Sequence, residues 1–396
     1  MAHDLDRRLL ERTIELATAR GGFSPRALRA ALDSSPLGGA GRVEDPYNLL
    51  GHALRTALGV IARQQGRGLA DLAAEAGVPV LGDTSLKAAL DLDWDDPDAR
   101  SQALVTVLGL LERVATWLDA QAPLAESRAQ PRLLANRAAA QQVVTQDVVP
   151  TAAGPVLRQG VAKARRISIE DAEMRHGRKS RHQRHVLRDL DSGLVRAVGV
   201  TAANVPEAQV TEAVAAELAH QPVALTELHI DRAYLSSHLV RERAADLTVY
   251  CKAWPVRNGD RFAKTAFQLD WDAGTLRCPH DVRMPFQPGG VAHFPAEDCA
   301  ACPLQAQCTT SSQGRSVSIH RDERLLAELR ERHTTPVGRA KLRERVAVEH
   351  SLAHVGHWQG GRAHYRGTRK TLFDLRRTAV IHNLPIIARY PDQPAA

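Results

Sequence analysis

The sequence predicts a mixed α/β protein: a mixed sheet flanked by helices, with a helical block inserted early and a cysteine-rich segment late. Three observations carry this. From Tyr47 to about Val149, apolar residues recur at three- and four-residue spacing, as on amphipathic helices. From near Ile167 the pattern changes to short β-branched runs separated by helical stretches, in the order hairpin, helix, strand, helix, strand. Four of the five cysteines then fall between Cys278 and Cys308.

Taken in order, residues 1–20 read as an amphipathic helix with Leu9, Leu10, Ile14 and Leu16 as its apolar set. In "FSPRALRAAL", Ser24 as N-cap and Pro25 at the first helical position predict another helix by local rules. "NLLGHALRTALGVIARQ" and "DPDARSQALVTVLGLLERVATWL" are amphipathic helices, the second opened by Asp96 and Pro97. The acidic run "DLDWDDPD" lacks the glycine and glutamate of a calcium loop and reads as a capped, solvated helix start. "HVLRDLDSGLVRAVGVTAAN" is a hairpin turning at Asp191-Ser192-Gly193. "PEAQVTEAVAAELAH" is a helix, "ALTELHID" a short strand ending on Asp231, "SSHLVRERAADL" helical, and "TVYCKAW" a strand. Residues 255–335 read as irregular. A helix over about 337–358 carries Glu349, and a last one spans about 368–384.

The net charge of +7 and pI near 9.4 favour a polyanionic partner, above all nucleic acid. No apolar run is long enough for a membrane span, and the N-terminus lacks the apolar core of a signal peptide. A cytoplasmic, nucleoid-associated location is therefore expected. There the cysteines stay reduced. Cys299 and Cys302 form a C-x2-C pair, and with Cys278 and Cys308 they supply four thiolates, enough for a tetrahedral Zn2+ shell. The segment looks too poor in apolar residues to fold by burial alone; the alternative is four unliganded thiols in a loop. Cys251 reads as a core residue of its strand.

Between Val156 and Arg188 stand ten Lys/Arg and three acids, among them Arg175, Arg178, Lys179, Arg181 and Arg184. Such crowding is relieved by water or by a phosphate backbone. A second basic stretch, "KLRERVAVEHSLAHVGHWQGGRAHYRGTRK", contains Arg345, Arg362, Arg366, Arg369 and Lys370 around a single carboxylate after Glu344, namely Glu349. The plain reading of Glu349 is an exposed ion pair with Arg345, worth a few tenths of a kcal/mol. His350, His354 and His357 share one helix face and read as surface histidines rather than metal ligands.

"LHIDRAYL", "RERVAVEHSLAHVGHW", "HYRGTRK", "AVIHNL" and "GLVRAVGVTAANVPEAQV" together resemble the DDE transposases of bacterial insertion sequences, in the branch with a cysteine-containing insertion before the catalytic glutamate. The resemblance covers about residues 25–388. It implies an RNase H-like fold, with two aspartates on neighbouring strands and a glutamate on a following helix. Asp231 and Glu349 match two of these. Asp33 in "LRAALDSSPL" matches the first, with Asp171 as its rival; this makes the segment a strand and conflicts with the helix of the local rules. The resemblance further implies that Asp33, Asp231 and Glu349 hold Mg2+ or Mn2+, that the substrate is double-stranded DNA at the element's ends and target, and that the enzyme works as a homodimer on DNA. Leu342 and Gly356 stand where the family has a tyrosine and a lysine. The implied organisation is 1–46 N-terminal helix and first catalytic strand, 47–155 helical insertion, 156–254 first part of the RNase H-like core, 255–335 cysteine-rich insertion, and 336–396 glutamate helix and C-terminal helix. The alternative is a truncated or decayed copy that binds DNA without cutting it. A third reading, a basic zinc-ribbon scaffold, fits poorly with the hairpin-helix-strand order.

Overall fold

The structure, a computed structural model, describes residues 4–20, 27–82, 85–120, 130–160, 162–177 and 181–389. At its centre lies a sheet of β1 (Leu28–Leu37), β2 (His182–Asp189), β3 (Val195–Ala202), β4 (Leu225–Ile230) and β5 (Thr248–Tyr250), in the order β3-β2-β1-β4-β5. β2 is antiparallel to β1 and β3 to β2, while β4 and β5 run parallel to β1. The longer helices are α1 (Leu5–Ala19), α2 (Pro46–Gln65), α3 (Pro97–Ala120), α4 (Gln130–Asp147), α5 (Val210–Leu218), α6 (Glu323–Thr334), α7 (Pro336–Glu344), α8 (Val346–Gln359) and α9 (Thr368–Arg389). A mixed α/β sheet covered by helices is consistent with an RNase H-like architecture. Among the described residues no helix is long and apolar enough to cross a membrane.

Strand alternation sends side chains to two cores. Leu28, Ala30 and Leu32 of β1 pack with Val210, Val214 and Leu218 of α5 and with Leu325, Leu326 and Leu329 of α6. Ala31 faces the other way, onto Val348, Leu352 and Val355 of α8 and Leu375 and Ala379 of α9. A separate apolar core joins α2, α3 and α4. As expected, Pro97 opens α3; Pro46 likewise opens α2, and Asp45 caps it by accepting from the Tyr47 and Asn48 N–H groups.

Several expectations change. The stretch that local rules make helical is β1 from Leu28 onward; Ser24 and Pro25 lie outside the described residues. Its alanine- and leucine-rich composition favours a helix weakly, and pairing with strands on both sides outweighs that preference. The helix over about 337–358 is α7 and α8, meeting at Arg345. In "SSHLVRERAADL" only His238–Arg241 is helical, and α6, within the stretch read as irregular, has the periodicity of an ordinary amphipathic helix.

On α1, Leu9 and Leu16 are exposed, and the buried face is Asp6, Leu10, Thr13, Ile14 and Ala17. Asp6 is buried because it accepts from Arg376 at 2.7 Å and Arg369 at 3.0 Å, which tie α1 to α9. The segment between β5 and α6 is also less dependent on outside help than its composition suggests. Its small antiparallel sheets, Gln268–Asp270 with Thr275–Arg277 and Arg283–Pro285, and Val291–His293 with Ser316–Ser318, enclose Phe267, Leu276, Phe286, Phe294, Val317 and Ile319.

Candidate active site

The β1–β4 register builds the site. Leu32 pairs with Ile230, the last pair of this parallel ladder, so Asp33 and Asp231 follow side by side on neighbouring strands. Hydrogen-bonded strands lie about 5 Å apart. Leu32 and Ile230 face the α5–α6 core, so alternation turns Asp33 and Asp231 toward the α8 side. Asp33 accepts from the Ser34 N–H (2.8 Å), and Asp231, still extended, accepts from the Arg232 N–H (2.6 Å) as it starts a one-turn helix.

Glu349 stands in the first turn of α8, where the helix dipole favours a carboxylate. Burial of Val348, Leu352 and Val355 fixes the helix rotation and leaves Glu349 half exposed. Arg345 joins it to the strands: its guanidinium pairs with Asp33 and donates to Glu349 Oε1 at 3.0 Å. The bland reading of an Arg345–Glu349 pair therefore describes one arm of a wider contact. Burial pushes the Asp33 carboxyl up from its usual range. The Ser34 N–H and Arg345 oppose that rise, and the charges of Asp231 and Glu349 add to it.

Sequence reasoning passed over a fourth carboxylate. Glu207 follows β3 in the turn Glu207–Gln209, which packs on the turn after Asp231. It is half-buried, and its carboxylate lies by Ser34 and Tyr234. Burial raises it, Ser34 opposes the rise, and Asp33 and Asp231 reinforce it. Tyr234 is fully buried and bonds His185 Nδ1 at 2.9 Å, whose Nε2 meets Thr201 Oγ1 at 2.9 Å. Burial holds His185 down to about 3, so its ring is neutral. The only local signal for Glu207 is an acid near a helix start, which by itself means little.

Asp171, the rival first aspartate, has another task. It is buried, faces His182 Nε2 at 3.5 Å, and accepts from the Gly367 and Glu173 N–H groups at 3.1 Å each. It anchors the loop before β2 to the start of α9.

The predicted DNA-binding cations divide. Arg178 and Lys179 lie outside the described residues. Arg175 donates to the Ala172 and Met174 carbonyls, and Arg181 adjoins β2, its N–H on the Leu37 carbonyl. Arg184 is buried against Ser35, Gln359 and the Gly360 carbonyl. Arg362 holds the Gly39 carbonyl (2.7 Å), Arg366 pairs with Glu170 (2.7 Å), and Arg369 with Asp6. Lys370 is exposed. Much of the basic character that suggests phosphate is thus used within the fold.

Cys278, Cys299, Cys302 and Cys308 line one cavity of about 30 Å3. Backbone N–H groups of Leu304 and Arg315 point at Cys302 and Cys299 Sγ, each at 3.4 Å. Burial raises the Cys308 thiol; Arg315 opposes this, and the other three sulfurs add to it. Cys251 is buried, its thiol pushed up to about 12 by burial first and Asp231 second. Among the described residues, the group whose ligating atoms all lie within 4.8 Å of one another is a different one: Glu227, His229 and Glu344. This cluster has the donor types of a metal site, but Arg29 and Lys341 already pair with its carboxylates.

Residues 286–388 match the family described as "Transposase DDE domain". The match supports membership of the general DDE transposase superfamily and takes in Glu349, while Asp33 and Asp231 lie before it. No curated protein and no solved structure gives a significant match to the chain.

Proposed function

We propose that this chain is a DNA transposase of an insertion sequence, cutting and joining DNA strands at the element's ends with Asp33, Asp231 and Glu349. The observation that carries this reading is the register: Asp33 and Asp231 emerge together from adjacent parallel strands, and Arg345 ties the first of them to Glu349. The family match over residues 286–388 supports the same chemistry.

The donor set suits a hard divalent cation. It consists of carboxylate oxygens, and the crowding of Asp231 and Glu349 on Asp33, and of Asp33 and Asp231 on Glu207, is the kind that a bound cation relieves. Asp33, Asp231 and Glu349 would hold Mg2+ or Mn2+; when bound, such ions activate water or a 3′-hydroxyl and stabilise the leaving oxygen. The chain's own contribution is positional. β1 and β4 fix the two aspartates, Ser34 and Arg232 orient them through their N–H groups, and Arg345 bridges Asp33 and Glu349. The working form on DNA is a homodimer in this reading.

We extend the proposal to zinc at Cys278, Cys299, Cys302 and Cys308. Four thiols facing one small cavity, two of them met by backbone N–H groups, support it. Elemental analysis of purified protein should find close to one zinc per chain. Its absence, with all four thiols open to alkylation, removes this part.

The central test is nicking of supercoiled plasmid in Mg2+ or Mn2+. Glu349→Gln, Asp231→Asn and Asp33→Asn should each abolish nicking and retain DNA binding, because they remove ligands and not phosphate contacts. Nicking that persists in any of them refutes that residue's role. A wild-type protein that binds DNA but never cuts it would favour the decayed, binding-only reading.

A further inference from the structure

Where, then, does the strand lie? The arginines after Glu349 give little help: Arg362, Arg366 and Arg369 are engaged with backbone carbonyls, Glu170 and Asp6. The opposite side of Asp231 differs. A cleft of about 380 Å3 opens between the ends of β4 and β5 and helix α7. Arg232 and Lys252 stand on its strand side, Arg339 and Arg343 on its helix side, and Arg345 where α7 meets α8. Among the described residues, Asp231 is the one acid lining it.

Apart from Arg345, these cations are not neutralised within the fold. Arg232 donates to the Lys252 carbonyl (2.8 Å) and Arg339 to the Thr334 carbonyl (2.5 Å), which orients them and leaves their charge uncompensated. No carboxylate lies within ion-pair distance of Arg232, Lys252, Arg339 or Arg343 among the described residues. By contrast, the cations just behind, Arg29 and Lys341, are saturated by Glu227, Glu344 and Asp191. The fold thus compensates its interior and leaves a narrow band of positive charge that ends on Asp231.

From this geometry we infer that the cleft between Arg232/Lys252 and Arg339/Arg343 is the track of the DNA strand, seating consecutive backbone phosphates as the strand runs to Asp231. The inference rests on the transposase reading and adds a direction to it: the strand enters from the β5–α7 side, not along α9. Phosphate contacts of this kind are electrostatic and carry no base information, so the track accepts any sequence.

The test is binding of a short duplex of arbitrary sequence, with and without a single-stranded overhang, as a function of salt. Each neutralised phosphate contributes about 0.9 to the slope of log K against log salt. Arg339→Ala with Arg343→Ala should therefore lower affinity for every sequence and make the slope shallower by about 2. Arg339→Lys with Arg343→Lys should keep the slope, because charge rather than the guanidinium fork makes the contact. Arg67→Ala with Arg137→Ala, whose guanidinium groups are already paired with Glu75 and Asp119, should leave it unchanged. An unaltered slope in a folded Arg339→Ala/Arg343→Ala protein overturns the track, as does an equal loss of slope in the Arg67→Ala/Arg137→Ala protein. Wild-type protein with no salt-dependent binding of DNA would sink the transposase reading along with it.

Discussion

Glu349 looks, in sequence, like half of a surface ion pair. The structure gives its partner Arg345 a second carboxylate, Asp33, from a strand more than three hundred positions away. Arg345 is thus the counterion of two acids that would otherwise repel each other and Asp231. Glu207 extends the crowd to a fourth carboxylate without adding a cation. This predicts opposite signs for one substitution under two conditions. Glu207→Gln keeps the shape of the side chain beside Ser34 and Tyr234 but removes a charge. In EDTA it should stabilise the protein, by on the order of 1 kcal/mol. In excess Mg2+ the gain should shrink or reverse, because repulsion is what the cation relieves. Urea unfolding in the two buffers reads both; destabilisation in EDTA would show that Glu207 is an ordinary structural acid.

Helices α1 and α9 are joined by charge as much as by apolar contact. Asp6 receives Arg369 and Arg376, and Arg376 also meets Glu217 of α5 at 2.7 Å. Burial works against ionised Asp6, yet the two guanidinium groups outweigh it and bring the carboxyl down to about 2. A carboxyl depressed in the folded state contributes stability above its unfolded value, near 4, and loses it as pH falls toward the folded value. Between about pH 4 and pH 2 the wild type should therefore lose stability that Asp6→Asn never had. At neutral pH the substitution should cost about 3–5 kcal/mol, as for other broken buried pairs. Identical acid limbs for the two proteins would refute the clamp. The α6–α7 junction offers a second test. A Cβ on Gly338 would collide with the Arg332 carbonyl, which is backbone and cannot move aside. Gly338→Ala should cost about 1–3 kcal/mol. It should also displace Arg339 and Arg343, weakening DNA binding beyond the loss of stability.

Across the whole molecule, the α/β sheet and the cysteine-bearing segment have separate apolar cores. With zinc held by the four cysteines as proposed, that separation predicts the response to its removal. Chelation, or Cys302→Ser, should raise hydrogen exchange within residues 255–319 first, leaving the sheet protected and Asp33 and Asp231 in place. The segment's own aromatic core should keep it partly ordered, unlike a domain folded by metal alone. Collapse of protection across β1 and β4 at the same chelator concentration would mean the two cores fold as one.

Much of this was legible in the linear chain, and for a common reason. The helices of residues 46–147, the hairpin of β2 and β3, the strand that ends on Asp231 and the isolation of Glu349 all depend on residues within a few positions of one another. Periodicity, caps and turn residues report such short-range preferences. Three features had no short-range signature. β1 is a strand because β2 and β4 flank it, against a local preference for helix. Glu207 enters the site because one turn packs on another, and Asp6 is buried because two distant arginines meet it. The same holds for the basic runs: composition counts cations, but only the folded chain decides which of them meet a carboxylate or carbonyl and which remain to face a phosphate. That choice belongs to tertiary structure, since an ion pair is made by partners that only folding brings within a few ångströms.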